Sequence, residues 1–176
     1  YTTVKHTDAV VGTIAAVTGT LSADGKTLTV PYGTEIATTL INAPGATVKV
    51  DGSKLVLTYT STTCDCTTVV EINVIVTAAV YSVTLEQSYN ATDAETELTV
   101  QLSTDAQFDV DNGGKIIVYK SSTSDGAGAV YWDSSIGGGE ITTKTSGYYY
   151  AVAFNSANEV IGQSAHLFVP NDGTIG

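Results

Sequence analysis

The feature that most constrains the fold is a two-residue alternation of apolar and polar side chains that recurs along the whole chain. Alternation of this period places apolar residues on one face of a strand, whereas a helix requires a repeat near 3.6. Turn-forming pairs such as Asp24-Gly25 and Asp51-Gly52 separate the alternating runs. We expect helix only within residues 34–42, as one or two turns. Short strands at this spacing predict an all-β chain of sandwich type. The clearest alternating runs are residues 27–30, 54–59, 70–76, 98–103 and 148–154.

A domain boundary is predicted where the alternation breaks, at residues 77–79. Residues 68–76 have the pattern of the last strand of one domain, and residues 80–86 have that of the first strand of the next. A length of 176 residues suits two domains of about 80–90 residues each. The sequence therefore predicts two domains, residues 1–79 and residues 80–176.

Charge and hydropathy exclude two classes of partner. The chain has 18 Asp and Glu residues against 7 Lys, no Arg, and a formal net charge of -11. Nucleic-acid binding depends on Lys and Arg that neutralise phosphates, so nucleic acid is not expected as a partner. No apolar run approaches the roughly 20 residues of a membrane-spanning helix, so we expect no membrane span.

Three segments resemble modules of prokaryotic surface proteins. Residues 18–34 (TGTLSADGKTLTVPYGT) and residues 38–50 (TTLINAPGATVKV) resemble the immunoglobulin-like modules repeated in surface-layer proteins and adhesins. Residues 147–169 are similar to the closing strands of fibronectin-type or immunoglobulin-like surface modules. The resemblance implies two immunoglobulin-like β-sandwich domains in tandem, the second of immunoglobulin or fibronectin type. It implies no particular activity, because such folds serve many functions.

No motif of an enzyme is present. His6 and His166 lie far apart without a motif around either, and the sequence contains no nucleophile elbow, phosphate-binding loop or metalloprotease helix. Cys64 lacks the flanking pattern of a known thiol nucleophile, which also requires a positioned base. We therefore expect no enzymatic activity, name no catalytic residue, and expect no cofactor other than a possible calcium ion.

The segment Cys64-Asp65-Cys66 is the most unusual local feature. Two thiols are too few for a structural zinc site, and a cysteine pair in a secreted protein suggests a disulfide. Same-face neighbours on an extended strand lie about 6.5–7 Å apart, near the upper limit for a disulfide. A local bridge between Cys64 and Cys66 therefore requires a kinked loop. A bridge between subunits and a pair of free thiols are the other two interpretations.

A calcium site is one interpretation of Asp109, Asp111 and Asn112. Acidic residues at alternate positions followed by Gly113 resemble the start of a calcium-binding loop. The Glu expected at the twelfth position of an EF-hand is absent, because residue 120 is Lys. A plain Asn-Gly hairpin turn explains the segment equally well.

Two further features concern sugars. Asn90-Ala91-Thr92 is an N-glycosylation sequon, which matters only in a secreted protein and also arises by chance in a Thr-rich chain. The aromatic residues Tyr131, Trp132 and 148–150 either fill the core of the second domain or form a platform that binds a glycan.

The N-terminal segment, residues 1–11, is a candidate for a donated strand. It precedes the first clear hairpin, has no obvious partner there, and carries Val4, Val10 and Val11. An extended segment of this kind adds to an exposed sheet edge through backbone hydrogen bonds. The chain begins at Tyr1 and contains no Met, so we expect either a mature secreted protein or a chain trimmed at its start.

These patterns predict a non-enzymatic structural subunit of an extracellular surface assembly, either a pilus-like filament or a surface layer. Copies of the chain are the expected partners, joined by β-strand addition. A virion or phage-tail surface protein is one alternative, and a carbohydrate-binding adhesin module is another.

Overall fold

The computed structural model describes residues 9–170, which form fifteen strands, one α-helix and one short 3-10 turn. The all-β prediction is confirmed, because strands make up most of the regular structure. Contacts within the chain define two compact units, the first ending at Ala78 and the second beginning at Ala79. Each unit has its own hydrophobic core. No helix in the described part of the chain is long and apolar enough to cross a membrane.

The N-terminal unit is built around a five-stranded mixed sheet. Its strands in chain order are β1 (Ala15–Ala16), β2 (Thr20–Leu21), β3 (Thr27–Val30), β4 (Ile41–Asn42), β5 (Ala46–Asp51), β6 (Lys54–Thr60) and β7 (Thr67–Val76). Strand β1 pairs with β4, and the other five form a sheet in the order β2-β3-β7-β6-β5. Strand β3 runs parallel to β7, while the remaining neighbours are antiparallel.

The core of this unit follows directly from the alternation in the sequence. In β6, Leu55, Leu57 and Tyr59 are buried, whereas the residues between them are only partly buried. Leu28 and Ile72, from the two strands that pair in parallel, are also fully buried in the same cluster. Because successive strand side chains point to opposite faces, one face of the sheet covers this core.

The sequence predicted the helical structure only in part. Within residues 34–42 the structure forms only the 3-10 turn Thr38–Leu40, whereas the α-helix is α1 (Thr104–Asp111). Ser103 caps α1 by accepting a hydrogen bond from the backbone N–H of Ala106, and Asp105 lies in its first turn. These are favourable N-terminal features of a helix. Helix α1 has only about two turns and no wide apolar stripe, so its residues show no helical periodicity in the sequence.

The C-terminal unit contains two antiparallel sheets. Its strands in chain order are β8 (Val83–Asn90), β9 (Glu95–Leu102), β10 (Lys115–Ser121), β11 (Ala129–Asp133), β12 (Ile141–Thr143), β13 (Gly147–Phe154), β14 (Val160–Gln163) and β15 (Leu167–Val169). One sheet has the order β12-β9-β8. The other has the order β11-β10-β13-β14. Strand β15 pairs with the first half of β13, and β14 pairs with its second half. Both lie on the side of β13 opposite to β10.

The two sheets of this unit share one core. Val83, Leu98 and Ile141 come from the three-stranded sheet, and Val118 and Tyr149 come from the other; all five are buried in a single cluster. Side chains from two sheets that meet in one core define a β-sandwich.

Candidate functional site

The most distinctive surface of the N-terminal unit is an incompletely paired stretch of β7. On one side, β6 pairs with β7 from Thr67 to Asn73. On the other side, β3 pairs with it only from Asn73 to Val76. Within the part of the chain that the structure describes, residues 67–72 therefore have a strand neighbour on one side only. We call this stretch the open β7 edge.

The open β7 edge combines apolar and charged side chains. It lies in a shallow groove whose lining includes Val69, Val70, Glu71 and Lys26. Val69 is 54% exposed. Glu71 forms a half-exposed ion pair with Lys54 of β6, with Nζ and Oε2 3.4 Å apart. An unpaired strand edge of this composition is a template for another strand.

The turn beside this groove is held by a short hydrogen-bonded network. Ser22 Oγ donates to Asp24 Oδ1 at 2.6 Å, and the backbone N–H of Lys26 donates to the same oxygen at 3.0 Å. Both bonds favour the ionised carboxylate, so they hold the pKa of Asp24 below its usual value, with the Ser22 bond the larger cause. Asp24 therefore fixes the position of Lys26 at the end of the open β7 edge.

The described part of the N-terminal unit has a second exposed edge. Strand β5 pairs with β6 alone among the described residues. Its exposed positions include Lys49 and Asp51. Charged residues, Lys above all, are a common means of protecting an edge from unwanted pairing.

The predicted donor segment is only partly described. Ala9 is buried in the core of the N-terminal unit, and its carbonyl oxygen accepts a hydrogen bond from Thr68 Oγ1 at 2.8 Å. Val10 and Val11 follow with 80% and 43% of their surface exposed. Val4 lies outside the described residues. Ala9 is therefore held by its own unit, and a donated strand is confined to the residues before it.

The cysteines form a disulfide with each other. Cys64 and Cys66 lie in the loop between β6 and β7, with their Cα atoms 5.2 Å apart. The backbone N–H of Ser61 donates to the carbonyl oxygen of Cys66 at 2.8 Å, which closes the loop. The bend of this loop brings the two Cα atoms closer than an extended strand would allow.

The three candidate calcium ligands are not brought together as a loop. Asp109 and Asp111 lie in the last turn of α1, and Asn112 is its C-terminal cap. Asp109 Oδ2 accepts a hydrogen bond from the Tyr81 hydroxyl at 2.5 Å, and Asp111 Oδ1 accepts one from Gln107 at 2.8 Å. Across the described ranges, no group of three or more His, Cys, Asp or Glu side chains is arranged to hold a metal ion.

Asn90 closes the turn between β8 and β9. Its Oδ1 accepts hydrogen bonds from the backbone N–H groups of Thr92 and Asp93, and its Nδ2 donates to Asp93 and Glu97 at 3.1 and 3.3 Å. Nδ2 is the atom to which an N-linked glycan would be attached. In this structure it is engaged in holding the turn.

The aromatic residues of the C-terminal unit divide between the core and the outer face of the five-stranded sheet. Trp132 packs against the core, and Tyr149 is fully buried within it. Tyr150 instead stacks between Tyr119 and His166, with ring centroids 5.2 and 4.2 Å away. The more exposed pair, Tyr148 and Phe168, has centroids 5.2 Å apart and an interplanar angle of 54°.

The helix that the sequence did not predict holds the first residues of its own unit. The backbone N–H of Val80 donates to Asp105 Oδ2 at 2.8 Å, and Ser103 Oγ donates to the Val80 carbonyl at 2.9 Å. Ser103 Oγ also accepts a hydrogen bond from the N–H of Ser82 at 2.9 Å. The same hydroxyl therefore caps α1 and fixes residues 80–82.

Comparison of the chain with protein-family models, with curated proteins and with solved structures gives no match.

Proposed function

We propose that this chain is a non-enzymatic structural subunit of an extracellular surface assembly, a pilus-like filament or a surface layer, in which copies join by β-strand addition. The observation that carries the proposal is the open β7 edge, where residues 67–72 have a strand neighbour on one side only among residues 9–170. An added strand supplies backbone hydrogen bonds along such an edge, and alternate side chains supply specificity.

We also propose that both units are immunoglobulin-like. In the C-terminal unit the sheets β12-β9-β8 and β11-β10-β13-β14 correspond to sheets ABE and C′CFG of such sandwiches. The hydroxyl of Tyr149, near the start of β13, donates to a backbone carbonyl four residues upstream, as in the tyrosine corner of these domains. In the N-terminal unit the support is a five-stranded sheet covering one core.

The Cys64–Cys66 disulfide supports the extracellular location. Disulfides persist in oxidising compartments and are rare where thiols are kept reduced. A virion subunit assembled in a reducing cytoplasm, the first alternative, would carry free thiols at both positions. Mass spectrometry of native material without reduction separates these two cases.

The proposal is tested by removing the donor segment. The full chain and a variant lacking residues 1–8 are compared by analytical ultracentrifugation and negative-stain electron microscopy. The deletion ends before Ala9 and so keeps its buried side chain and its bond to Thr68. We expect the full chain to assemble and the shortened chain to remain a folded monomer. A variant lacking residues 171–176 is the matched control and should assemble.

Ionic strength is part of the design of this test. A net charge of -11 on every copy opposes association, and about 1 M salt reduces the screening length to about 3 Å. Assembly should therefore increase with salt. The proposal is contradicted if the full chain stays monomeric from low salt up to about 1 M salt. It is also contradicted if the shortened chain still assembles.

Glycan binding is a second candidate, favoured by Phe168, which is 50% exposed, and by its partly buried neighbour Tyr148 on the outer face of the β11-β10-β13-β14 sheet. Aromatic side chains present large apolar faces that can stack on sugar rings. A glycan array with the full chain and with Phe168→Ala tests this candidate. Binding that the substitution abolishes supports an adhesin module.

A further inference from the structure

We propose that a groove in the C-terminal unit binds an organic cation of one kind, an aliphatic chain that ends in an ammonium group. The groove opens at the side of the sandwich, between β9 and β12 of one sheet and β10 and β11 of the other. All of its lining residues belong to this unit. The site is therefore independent of the open β7 edge and of the proposed assembly.

The groove forms because β12 covers only part of the edge of β9. Strand β12 pairs with β9 from Thr96 to Leu98. Among the described residues, the rest of that edge, residues 99–102, has β8 as its one strand neighbour. Residues 137–139, close before β12, are all glycine. Glycine weakens a strand, because it loses more backbone freedom than other residues and has no side chain to pack. The glycine run therefore explains why β12 does not extend along β9.

The walls of the groove are apolar. Leu98 and Ile141 line it from one sheet, and both are buried in the core of the unit. Ile116 and Trp132 line it from the other sheet, and both pack on the same core while staying partly exposed. Pockets that bind small molecules are typically lined in this way, by aliphatic and aromatic side chains with few polar groups. An aliphatic chain in the groove would remove this apolar surface from water.

The rim of the groove is negative. Glu97 of β9 and Glu140, the residue before β12, both line it. Because Glu97 pairs with Thr142 across the two strands, Glu140 lies at the diagonal position. Glu97 accepts a hydrogen bond from Asn90 at 3.3 Å, but in the described part of the chain neither carboxylate forms an ion pair. These two carboxylates beside an apolar wall match an ammonium group at the end of an aliphatic chain.

Two further features favour a cation over a neutral or an anionic ligand. The chain has a formal net charge of -11, so its electrostatic potential attracts cations and repels anions. Trp132, in the groove wall, has the aromatic ring that attracts a cation most strongly when the cation lies over its face. The charge and the wall of the groove therefore select the same ligand.

The described chain ends away from the groove. Strand β15 pairs with β13 on the side opposite to β10, whereas the groove opens beside β11, on the other side of β10. Val169 pairs with Gly147 at the start of β13, while Ile116, in the groove wall, pairs with Ala153 near the end of β13. The distance along β13 between these two levels is about 20 Å, at roughly 3.3 Å per residue. A ligand in the groove would therefore not meet the last described residues.

The test compares three ligands that share a six-carbon chain: hexylammonium, hexanol and hexanoate. Trp132 is the single tryptophan of the full chain and lies in the groove wall, so its fluorescence reports binding at this place. We expect hexylammonium to bind more tightly than hexanol, and hexanoate to bind most weakly. Added salt should weaken the binding of hexylammonium and leave that of hexanol nearly unchanged, because only the charged ligand is screened.

A fourth ligand, Nα-acetyl-lysine amide, identifies the source of the ammonium group, because it carries the same charge on a peptide backbone. Tighter binding of hexylammonium than of the lysine derivative assigns the groove to a free amine. Tighter binding of the lysine derivative assigns it to a lysine side chain of a partner. Both results support an ammonium group as the ligand.

A charge-removing substitution tests the rim. Glu140→Gln should weaken the binding of hexylammonium by about two- to fivefold, the range expected from exposed ion pairs, and leave that of hexanol unchanged. Glu159→Gln, in the exposed turn between β13 and β14, removes the same charge elsewhere and is the matched control. It should change the binding of neither ligand. Urea unfolding followed by Trp132 fluorescence verifies that both variants are folded.

Two results would overturn the proposal. Equal binding of hexylammonium and hexanol, or equal effects of the Glu140 and Glu159 substitutions, would show that the rim carboxylates select no cation. A Trp132 spectrum that responds to none of the four ligands would show that the groove is not a binding site.

Discussion

The hydroxyl of Tyr149 donates a hydrogen bond to the carbonyl oxygen of Thr145, four residues upstream, at 2.9 Å. Tyr149 is fully buried in β13, and its hydroxyl also lies 2.7 Å from Thr143 Oγ1 of β12. These bonds tie the corner between β12 and β13 to the core. Thr143 Oγ1 also accepts a hydrogen bond from the backbone N–H of Thr145 at 3.1 Å, and it keeps this bond if the Tyr149 hydroxyl is removed.

The first prediction is that Tyr149→Phe destabilises the C-terminal unit by about 1–2 kcal/mol, the net contribution of the hydrogen bonds that its hydroxyl makes. The chain contains a single tryptophan, Trp132, which lies in this unit, so its fluorescence during urea unfolding reports the unit's stability. Tyr148→Phe is the matched control, because Tyr148 is only partly buried and packs on Phe168. Equal effects of the two substitutions would contradict the role assigned to Tyr149.

The sequence predicted the strands well because their signal is local. In β6 and β7 the side chains alternate between a buried and an exposed face, and that period can be read directly from the residues. Helix α1 was missed because eight residues with one buried side chain carry no such period. Asp109 and Asp111, which resembled calcium ligands, are instead helical residues bonded to Tyr81 and Gln107.

The candidate site was predictable only in part. The valines of residues 1–11 and the open edges expected of sandwiches indicated strand addition, but the acceptor depends on pairing between residues far apart in sequence. The length over which β3 covers β7, Asn73 to Val76, is a consequence of tertiary structure and has no local signal. The burial of Ala9 and its bond to Thr68 have the same origin.

The second prediction concerns the hydroxyl of Ser103. Ser103→Ala should lower the stability of the C-terminal unit by about 1–2 kcal/mol, because it removes the cap of α1 and the bonds to residues 80–82. Hydrogen exchange should quicken most at the amide of Ser82, whose acceptor is lost. Ser88→Ala, at an exposed position of β8, is the control and should change neither measurement. Unchanged exchange at Ser82 would contradict this role.

The third prediction concerns the disulfide. Replacing both Cys64 and Cys66 with Ser should cost only about 1–2 kcal/mol, because the ring closes over three residues and removes little chain entropy from the unfolded state. The double variant should therefore remain folded, with an unfolding midpoint close to that of the reduced protein. Loss of the folded N-terminal unit in either sample would mean that the loop contributes far more than its size allows.

The last prediction concerns pH and the turn beside the open β7 edge. Because its bonds to Ser22 and Lys26 lower the folded-state pKa of Asp24, ionised Asp24 stabilises the folded chain. This contribution is fully present above the unfolded pKa, about 3.9, and is lost as the pH falls through the lower folded value. Asp24→Asn should therefore unfold at lower urea than the unaltered chain near neutral pH. The gap should narrow as the pH falls below about 4. Asp51→Asn, at the exposed end of β5, is the control. A gap for Asp24→Asn that stays constant from neutral to acid pH would show that the carboxylate charge has no part in holding the turn.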